Sequence, residues 1–267
     1  MQQFIGKSQT TSCAMDPARA IALHATLALP DPAPKPGDAL PPFWHQIHFW
    51  DSQPPENLGR DGHPKTGDFI PDLGLPRRMW AGGRLQFHAP LRSGTPASKT
   101  TTIEAIIRKQ GRTGPLAFVT LRHEITQCGT LCVTEHQDLV YRNDPDPNAA
   151  KPVAPTARTD ETICEQHSFS TTLLFRYSAL TMNGHRIHYD EPYARNVEGY
   201  AGLVTHGPLL AQLLMLMAER HLGPLNTFTF RATAPLIQHE TADLCLNGQS
   251  LWVRGSDERL CMEATAG

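Results

Sequence analysis

Residues 207–224, GPLLAQLLMLMAERHLGP, constrain the fold of this chain more than any other segment. Leucine and methionine side chains would cover most of the circumference of a helix here, which predicts a helix buried on nearly all sides. Pro208 stands where a first helical turn tolerates proline, and Gly223 with Pro224 ends the helix. Strand-like segments follow at 227–237, 241–248, 250–256 and 259–266. This order predicts an antiparallel sheet wrapped around one central helix.

The chain before this helix contains further predicted elements. An acid and a proline precede a leucine-rich stretch and predict a helix over 16–29. The proline-rich residues 30–42 and the tract 51–78 predict loops, and a loop as long as the second often covers a site. Strands are predicted at 84–91, 100–109, 116–125, 130–142 and 171–181.

Residues 142–161, RNDPDPNAAKPVAPTARTDE, interrupt the predicted strands with prolines, asparagines and small residues. Such a composition is typical of a boundary between two folding units. With 267 residues the chain is long enough for two modules that each bury a core. We therefore expect an N-terminal domain over 1–145 and a C-terminal domain over 160–267.

Charge and cysteine content narrow the range of partners. A formal net charge of −2 gives no general electrostatic reason to bind nucleic acid or an acidic membrane, so we expect a small-molecule partner. The six cysteines form no recognisable disulfide framework or zinc-binding spacing. The sequence has no signal-peptide pattern and no membrane-length apolar run. A cytoplasmic protein with free thiols is expected.

Side chains that can transfer protons or bind metal ions are concentrated in residues 181–192, TMNGHRIHYDEP. A histidine such as His188 suits general acid/base work because its intrinsic pKa lies near neutrality. His185, His188 and Asp190 could instead ligate a divalent metal. A polar turn with a satisfied histidine is a third interpretation. Since no second cluster is spaced to complete a metal site, we expect none.

These residues carry a resemblance to the MaoC-like hydratases and dehydratases, which act on acyl thioesters. The family signature, Asp-any-Asn-Pro-aliphatic-His, is matched by the residues 183–188, and its "VHG" sequence is matched by Thr205-His206-Gly207 at the start of the predicted central helix. Residues 76–94, PRRMWAGGRLQFHAPLRSG, resemble the degenerate N-terminal module of tandem members. The resemblance implies an α+β double hotdog, in which each module wraps a sheet around a helix, and a homodimer or higher homo-oligomer as a plausible assembly.

The chemistry of hydration assigns roles within this motif. Hydration of an enoyl thioester needs a base for water, a proton donor for the α-carbon and hydrogen-bond donors for the enolate oxygen; we expect His188 to be the base. The backbone N–H of Gly207, at a helix start, suits the oxyanion. Asn183 occupies the position of the family's catalytic aspartate, and an amide cannot act as a base. Alternation along an extended segment would place Asp190 on the same face as His188 and let it supply the missing carboxylate; a structural Asp190 is the other interpretation.

Several nearby residues are expected to bind substrate. His206 directly precedes the central helix, and Tyr193 lies between His188 and that helix. Arg77, Arg78 and Trp80 come from the N-terminal segment; an arginine fork suits the phosphates of coenzyme A or a distal substrate carboxylate. Packing roles for His206 and Tyr193, and a solvated basic turn for the segment with the arginines, are the alternatives.

The predicted function is hydration of a short dicarboxylic enoyl-CoA thioester, itaconyl-CoA or mesaconyl-CoA, giving citramalyl-CoA. The resemblance is strongest to the branch that holds such hydratases together with mitochondrial-type 3-hydroxyacyl-thioester dehydratases. A dehydratase of fatty acid synthesis is one alternative, and a non-catalytic acyl-CoA-binding protein that has lost its aspartate is another. We expect no cofactor beyond the coenzyme A of the substrate.

Overall fold

A computed structural model describes residues 1–111, 114–146 and 153–267 of the chain. Ten strands and four α-helices lie within these residues. The strands are β1 (Ser8–Cys13), β2 (Arg77–Phe87), β3 (Ala97–Gly111), β4 (Gly114–Gln127), β5 (Thr130–Arg142), β6 (Ile163–Ser168), β7 (Thr227–Ala232), β8 (Thr241–Asn247), β9 (Ser250–Gly255) and β10 (Leu260–Ala266). The helices are α1 (Pro17–Thr26), α2 (Thr171–Thr181), α3 (Glu191–Asn196) and α4 (Gly207–Leu222).

The ten strands form one sheet in the order β1-β3-β4-β5-β2-β7-β10-β9-β8-β6, with antiparallel neighbours throughout. The first five strands pair among themselves, as do the last five, and the two sets meet where β2 pairs with β7. Gly82 and Gly83 lie at this junction, where a Cβ would come within 2.6 Å and 2.8 Å of the backbone and the ring of Phe230. Glycine therefore lets the two sets of strands join closely.

Helix α4 is the predicted central helix of the C-terminal half. Its side chains Leu210, Leu214, Met215 and Met217 are buried on different faces of the helix, as the all-round apolar sequence predicts. Helix α4 packs against β7, β8, β9 and β10. The prediction of an α+β fold with a sheet wrapped around this helix is confirmed.

The N-terminal strands β3, β4 and β5 have no α4-like helix on their inner face within the described residues. A single 3₁₀ turn, Trp44–Ile47, lies there instead, preceded by the buried Phe43. The Phe43 ring contacts Trp80 and Phe230, 6.1 Å and 6.0 Å away between ring centroids. Because this turn is much shorter than α4, a cavity remains over the inner face of β3, β4 and β5.

The prediction of a strand at 171–181 is wrong, because these residues form helix α2. Ser170 caps the helix by accepting a hydrogen bond from the Leu173 amide, and Leu174, Tyr177 and Ser178 are buried at helical spacing. The threonine and aromatic content favoured a strand. The Ser170 cap and the burial of one helical face stabilise a helix instead. Strands β1 and β6 were not predicted, and β2 starts seven residues before the predicted 84–91.

The segment 142–161, predicted as the boundary between two domains, lies between β5 and β6 in the order of elements. Residues 147–152 of this segment lie outside the described residues. In the part of the chain that is described, no helix is both long and apolar enough to span a bilayer.

Candidate active site

The motif 181–192 folds as a series of tight turns rather than as an extended segment. Helix α2 ends at Met182, which adopts a left-handed conformation with a φ of 51°. Asn183 then closes a turn, since its Oδ1 accepts the His185 amide at 3.1 Å. Residues Arg186–His188 form one 3₁₀ turn, and helix α3 begins at Glu191. These turns bring His185 and His188 into the interior.

Asp190 does not stand beside His188 in the way that alternation predicted. An extended segment is the premise of that prediction, and the 3₁₀ turn removes it. The Asp190 carboxylate caps α3 by accepting the Tyr193 amide and forms an ion pair with Arg186 at 2.7 Å. Its hydrogen bonds with Arg186 lower its pKa. The structure therefore gives Asp190 the structural role.

His188 is buried and held by one strong hydrogen bond. Its Nδ1 lies 2.7 Å from the carbonyl oxygen of Val204, which can only accept, so Nδ1 carries the proton and Nε2 carries the lone pair. Burial, followed by the neighbouring His206 and His185, holds the His188 pKa well below its usual value. Its Nε2 accepts no hydrogen bond from the described residues. A neutral imidazole with a free basic nitrogen results.

His206 lies in parallel contact with His188, with 3.6 Å between ring centroids and 19° between planes. It is the N-cap residue of α4, and its Nε2 pairs with Ser178 Oγ at 2.7 Å. Burial, with the nearby His185, lowers its pKa to about 3. His206 therefore stays neutral, and its ring stacks on that of His188.

Gly207 begins α4 next to these rings. The space around its α-carbon is open, because a Cβ placed there would meet no atom within 4 Å. The first amides of a helix have no intrahelical acceptor, and the helix dipole favours negative charge at this end. No side chain fills the space where a Cβ of residue 207 would stand.

A buried ion pair supports the motif from the other side. Arg77 Nε donates to Glu198 at 2.6 Å, and both side chains are almost fully enclosed. The second oxygen of Glu198 lies 3.4 Å from both His185 Nε2 and the Tyr193 hydroxyl. Burial would raise the Glu198 pKa, but His185 and Arg77 lower it. Arg77 and Tyr193, expected at the substrate, are therefore engaged inside the protein.

The tract 51–78 contributes a histidine that the sequence reasoning missed. His63 Nδ1 lies 3.0 Å from Asp61 Oδ2, and the His63 ring lies 4.5 Å from the His185 ring. Asp61 also accepts the Arg186 amide through its backbone oxygen at 2.9 Å. The sequence "DGHP" at 61–64 was a usable signal, because the tract was expected to cover a site.

A close glycine contact fixes this tract on the motif. Gly62 has a φ of +87°, and a Cβ on it would lie 2.0 Å from the Gly184 carbonyl oxygen. A Cβ on Gly184 would likewise lie 2.6 Å from the Gly62 carbonyl oxygen. Only two glycines allow this approach, and it holds His63 beside His185.

A cavity of about 590 Å³ extends from the motif over the inner face of β3, β4 and β5. Its wall at the motif includes His63, Thr181 and Met182. Most of its deeper wall is polar, and includes His45, Gln46, Lys99, Thr101, His123, Glu135 and Gln137. A second cavity of about 400 Å³ shares His63 and Arg78 with the first. The space beside the motif thus suits a ligand with polar groups.

Two cations in the cavity wall, Arg78 and Lys99, form no ion pair or hydrogen bond with the described part of the chain. Glu135 lies near Lys99, but its oxygens are taken by His45 at 2.8 Å and by Gln46 at 2.9 Å. Alternation along β2 turns Arg77 towards Glu198 and Arg78 towards the cavity. An anionic group of a ligand would find both cations free.

The remaining expected residues take structural positions. Trp80 packs on Phe43 and Phe230, and its indole N–H donates to the Gly82 carbonyl oxygen at 2.9 Å. Asn183 shapes the turn described above. Asp61, His63 and His185 place ligand-type atoms within 4.8 Å of one another, so these three residues could hold a metal ion. The metal site considered as an alternative from the sequence, His185 with His188 and Asp190, does not form, because Asp190 is paired with Arg186.

Comparisons with known proteins give the family and the fold of the chain. Residues 43–238 match the family model of hydroxyacyl-thioester dehydratase type 2. The chain is 47% identical over 234 residues to the mesaconyl-C(4)-CoA hydratase of Chloroflexus aurantiacus, covering 87% of this chain and 84% of the relative. It is 30% identical over 248 residues to the mitochondrial hydroxyacyl-thioester dehydratase type 2 of Schizosaccharomyces pombe, with 80% of each chain covered.

Solved structures share the fold at low sequence identity. HtdX of Mycobacterium tuberculosis superposes with a TM-score of 0.69 at 15% identity, covering 97% of this chain and 99% of that one. A second protein of that organism, described as having a double hotdog fold, gives a TM-score of 0.58 at 14% identity and covers 98% and 95%. The predicted double hotdog is confirmed.

Proposed function

The chain belongs to the hydroxyacyl-thioester dehydratase type 2 family and is a hydro-lyase, and from this premise we propose that it hydrates mesaconyl-C(4)-CoA or a closely related short dicarboxylic enoyl-CoA. The product would be citramalyl-CoA. The observation that carries the choice of substrate is the polar cavity beside the motif, where Arg78 and Lys99 have no ion-pair or hydrogen-bond partner among the described residues. The 47% identity to a mesaconyl-C(4)-CoA hydratase supports it independently.

His188 performs the proton transfers in this proposal. Its Nε2 takes a proton from water while the water oxygen bonds to the β-carbon, and the electron pair of the double bond moves onto the thioester oxygen as an enolate. The lowered pKa keeps Nε2 unprotonated in the resting enzyme at neutral pH. The same property makes the resulting imidazolium a strong acid, which returns the proton to the α-carbon. One water is added across the double bond, and His188 ends neutral.

The Gly207 amide holds the enolate oxygen. Negative charge develops on this oxygen only as the hydroxyl adds, so a donor aimed at it favours the transition state over the ground state. The open space around Gly207 lets the thioester reach the helix start. The stacked His206 keeps the base beside this position.

Arg78 is the proposed partner of the substrate carboxylate. In mesaconyl-C(4)-CoA the free carboxylate is attached to the β-carbon itself, so its cation must lie close to the reacting atoms. Arg78 lines both cavities and lies near enough to His63 for its charge to help lower the pKa of that residue, after burial. A planar guanidinium matches the carboxylate with two hydrogen bonds. Lys99 adds positive charge deeper in the cavity.

A 3-hydroxyacyl-thioester dehydratase of fatty acid synthesis is the second candidate, because the yeast relatives carry that name. A growing acyl chain needs an apolar channel, however, and it would bury the hydrogen-bonding groups of this cavity without partners. A binding protein without activity, suggested by Asn183, is the third candidate. The free Nε2 of His188 favours catalysis over binding alone.

A substrate panel separates the three candidates. The purified full chain is assayed with mesaconyl-C(4)-CoA, itaconyl-CoA and crotonyl-CoA, which lacks the second carboxylate, and the hydrated thioester formed from each is separated and measured by chromatography. We expect kcat/KM for a dicarboxylic substrate to exceed that for crotonyl-CoA by at least about 10²-fold, since unpaired polar groups penalise the analogue. Turnover of straight-chain substrates alone would support the dehydratase. Binding of all three without turnover would support the binding protein.

A further inference from the structure

The Asp61–His63 pair is the strongest feature that the mechanism above leaves unused. Asp61 Oδ2 accepts from His63 Nδ1 at 3.0 Å, and Asp61 Oδ1 accepts the His63 amide at 3.1 Å. The first bond fixes the tautomer, so that His63 Nε2 carries a lone pair. His63 lines both cavities, and its Nε2 has no hydrogen-bond partner in the described chain. A preoriented acceptor therefore faces the space open to ligands.

The carboxylates and the amide of the motif are already engaged. Asn183 Oδ1 accepts the His185 amide, Asp190 is paired with Arg186, and Glu198 is paired with Arg77. His188 Nε2 and His185 Nδ1 have no hydrogen-bond partner in the described chain, but neither histidine lines the cavities beside the motif. A water molecule that reacts well needs both of its hydrogens directed, so that its oxygen lone pair points at the β-carbon. A second acceptor that faces the cavity is therefore required beside His188.

His63 lines the cavity next to the histidines of the motif. Its ring lies 4.5 Å from the His185 ring, which lies 5.4 Å from the His188 ring. The close contact of Gly62 with Gly184 and the bond from the Arg186 amide to Asp61 fix this arrangement. His63, which belongs to the N-terminal half, thus lies in a fixed position beside the motif of the C-terminal half.

We propose that His63, oriented by Asp61, is a second catalytic residue that holds the attacking water together with His188. One O–H of the water donates to His63 Nε2 and remains intact, while the proton of the other passes to His188 Nε2 as the oxygen bonds to the β-carbon. His188 then returns that proton to the α-carbon. The pair takes the position in the mechanism that an aspartate would have at residue 183. This assignment rests on the proposed hydration.

Three variants test the proposal in the full-length chain. His63→Ala removes the acceptor, His63→Gln retains a side-chain oxygen that can accept, and Asp61→Asn disturbs the orientation of the ring. We expect kcat with mesaconyl-C(4)-CoA to fall by about 10²-fold in His63→Ala, with KM changed only a few-fold. His63→Gln should retain more activity than His63→Ala. Added imidazole should restore part of the activity of His63→Ala, because the cavity is open to solvent.

A matched control is His136→Ala. His136 also pairs with a carboxylate, Glu104 at 3.4 Å, in the same half of the protein but outside the cavity. This variant should keep wild-type kinetics. The proposal is overturned if His63→Ala retains kcat within a few-fold, or if its activity falls together with the melting temperature and imidazole restores nothing.

Three further outcomes are distinguishable. Stoichiometric zinc in the purified protein, with activity lost on chelation and restored by zinc, would overturn the proposal in favour of a metal on Asp61, His63 and His185. Loss of activity in His188→Ala beside full activity in His63→Ala would refute this inference and leave the hydratase function standing. A wild-type protein that turns over no thioester would refute the function itself.

Discussion

Replacement of Gly207 by alanine separates a role in catalysis from a role in folding. A Cβ at this position meets no atom within 4 Å, so the added methyl group causes no clash in the free protein. Gly→Ala at a compatible position stabilises a fold by about 0.4–1 kcal/mol, through the entropy of the unfolded chain. We therefore expect a melting temperature equal to or above that of the wild type.

Activity should respond in the opposite direction. The methyl group fills the space through which the thioester oxygen reaches the helix start, and loss of one oxyanion donor costs about 10²–10³ in kcat. Gly207→Ala should therefore lower kcat/KM for mesaconyl-C(4)-CoA by at least about 10²-fold, measured by enoyl-thioester absorbance. Gly62→Ala is the contrasting variant, because its Cβ would lie 2.0 Å from the Gly184 oxygen and should destabilise the fold. A Gly207→Ala enzyme with kcat/KM within a few-fold of wild type would refute the oxyanion role.

Three other predictions concern ionisable side chains that are buried or partly buried. Arg77→Met leaves Glu198 buried without its cation and should cost about 3–5 kcal/mol of unfolding free energy in a denaturant titration; a cost near zero would contradict the pair. Burial lowers the pKa values of His48, His63 and His123 to about 4. Below pH 6.5 the unfolded chain therefore binds more protons than the folded protein. Each of these histidines should lower the free energy of unfolding by about 2 kcal/mol between pH 7 and pH 5. A melting temperature independent of pH over that range would contradict this. Arg78→Met should raise KM for mesaconyl-C(4)-CoA but not for crotonyl-CoA; equal changes would exclude a carboxylate contact.

The fold could be predicted where local sequence and burial agree. Helix α4 was predictable because its apolar residues and its Pro208 and Gly223 boundaries all indicate one buried helix. Strand β5 was predicted with its exact bounds, Thr130–Arg142. Helix α2 was not, because Thr171 to Thr181 contains residues that favour strands, and the Ser170 cap is a weak signal beside them.

The candidate site was predictable only in part, because the tertiary fold determines which residues that are distant in the sequence contact one another. Positions 188 and 207 were predicted from the motif. In the structure the His188 Nε2 accepts no hydrogen bond from the described chain, and the space at Gly207 is open. Asp190 was placed by an extended-strand rule that fails in a tight turn. His63 reaches the motif from over a hundred residues away, through the contact of two glycines, and local patterns carry no information about such a contact.

The two arginines show the same limit. Sequence reasoning assigned Arg77 and Arg78 to one fork for an anion. Alternation along β2 separates them, so that one arginine pairs with Glu198 and the other faces the cavity. The partner, Glu198, lies in a segment that carried no charge signal for pairing. A buried ion pair between distant segments could not be predicted without the topology of the sheet.

The most direct test of the account is the rate of hydration by His188→Gln. The side chain is close in size and keeps a donor for the Val204 carbonyl, so the fold should be retained, as circular dichroism and thermal melting would verify. General acid/base catalysis contributes about 10²–10⁴-fold, and we predict that kcat/KM for mesaconyl-C(4)-CoA falls by at least about 10²-fold. A folded His188→Gln protein that hydrates this substrate within a few-fold of the wild-type rate would contradict the assignment of the base and the mechanism built on it.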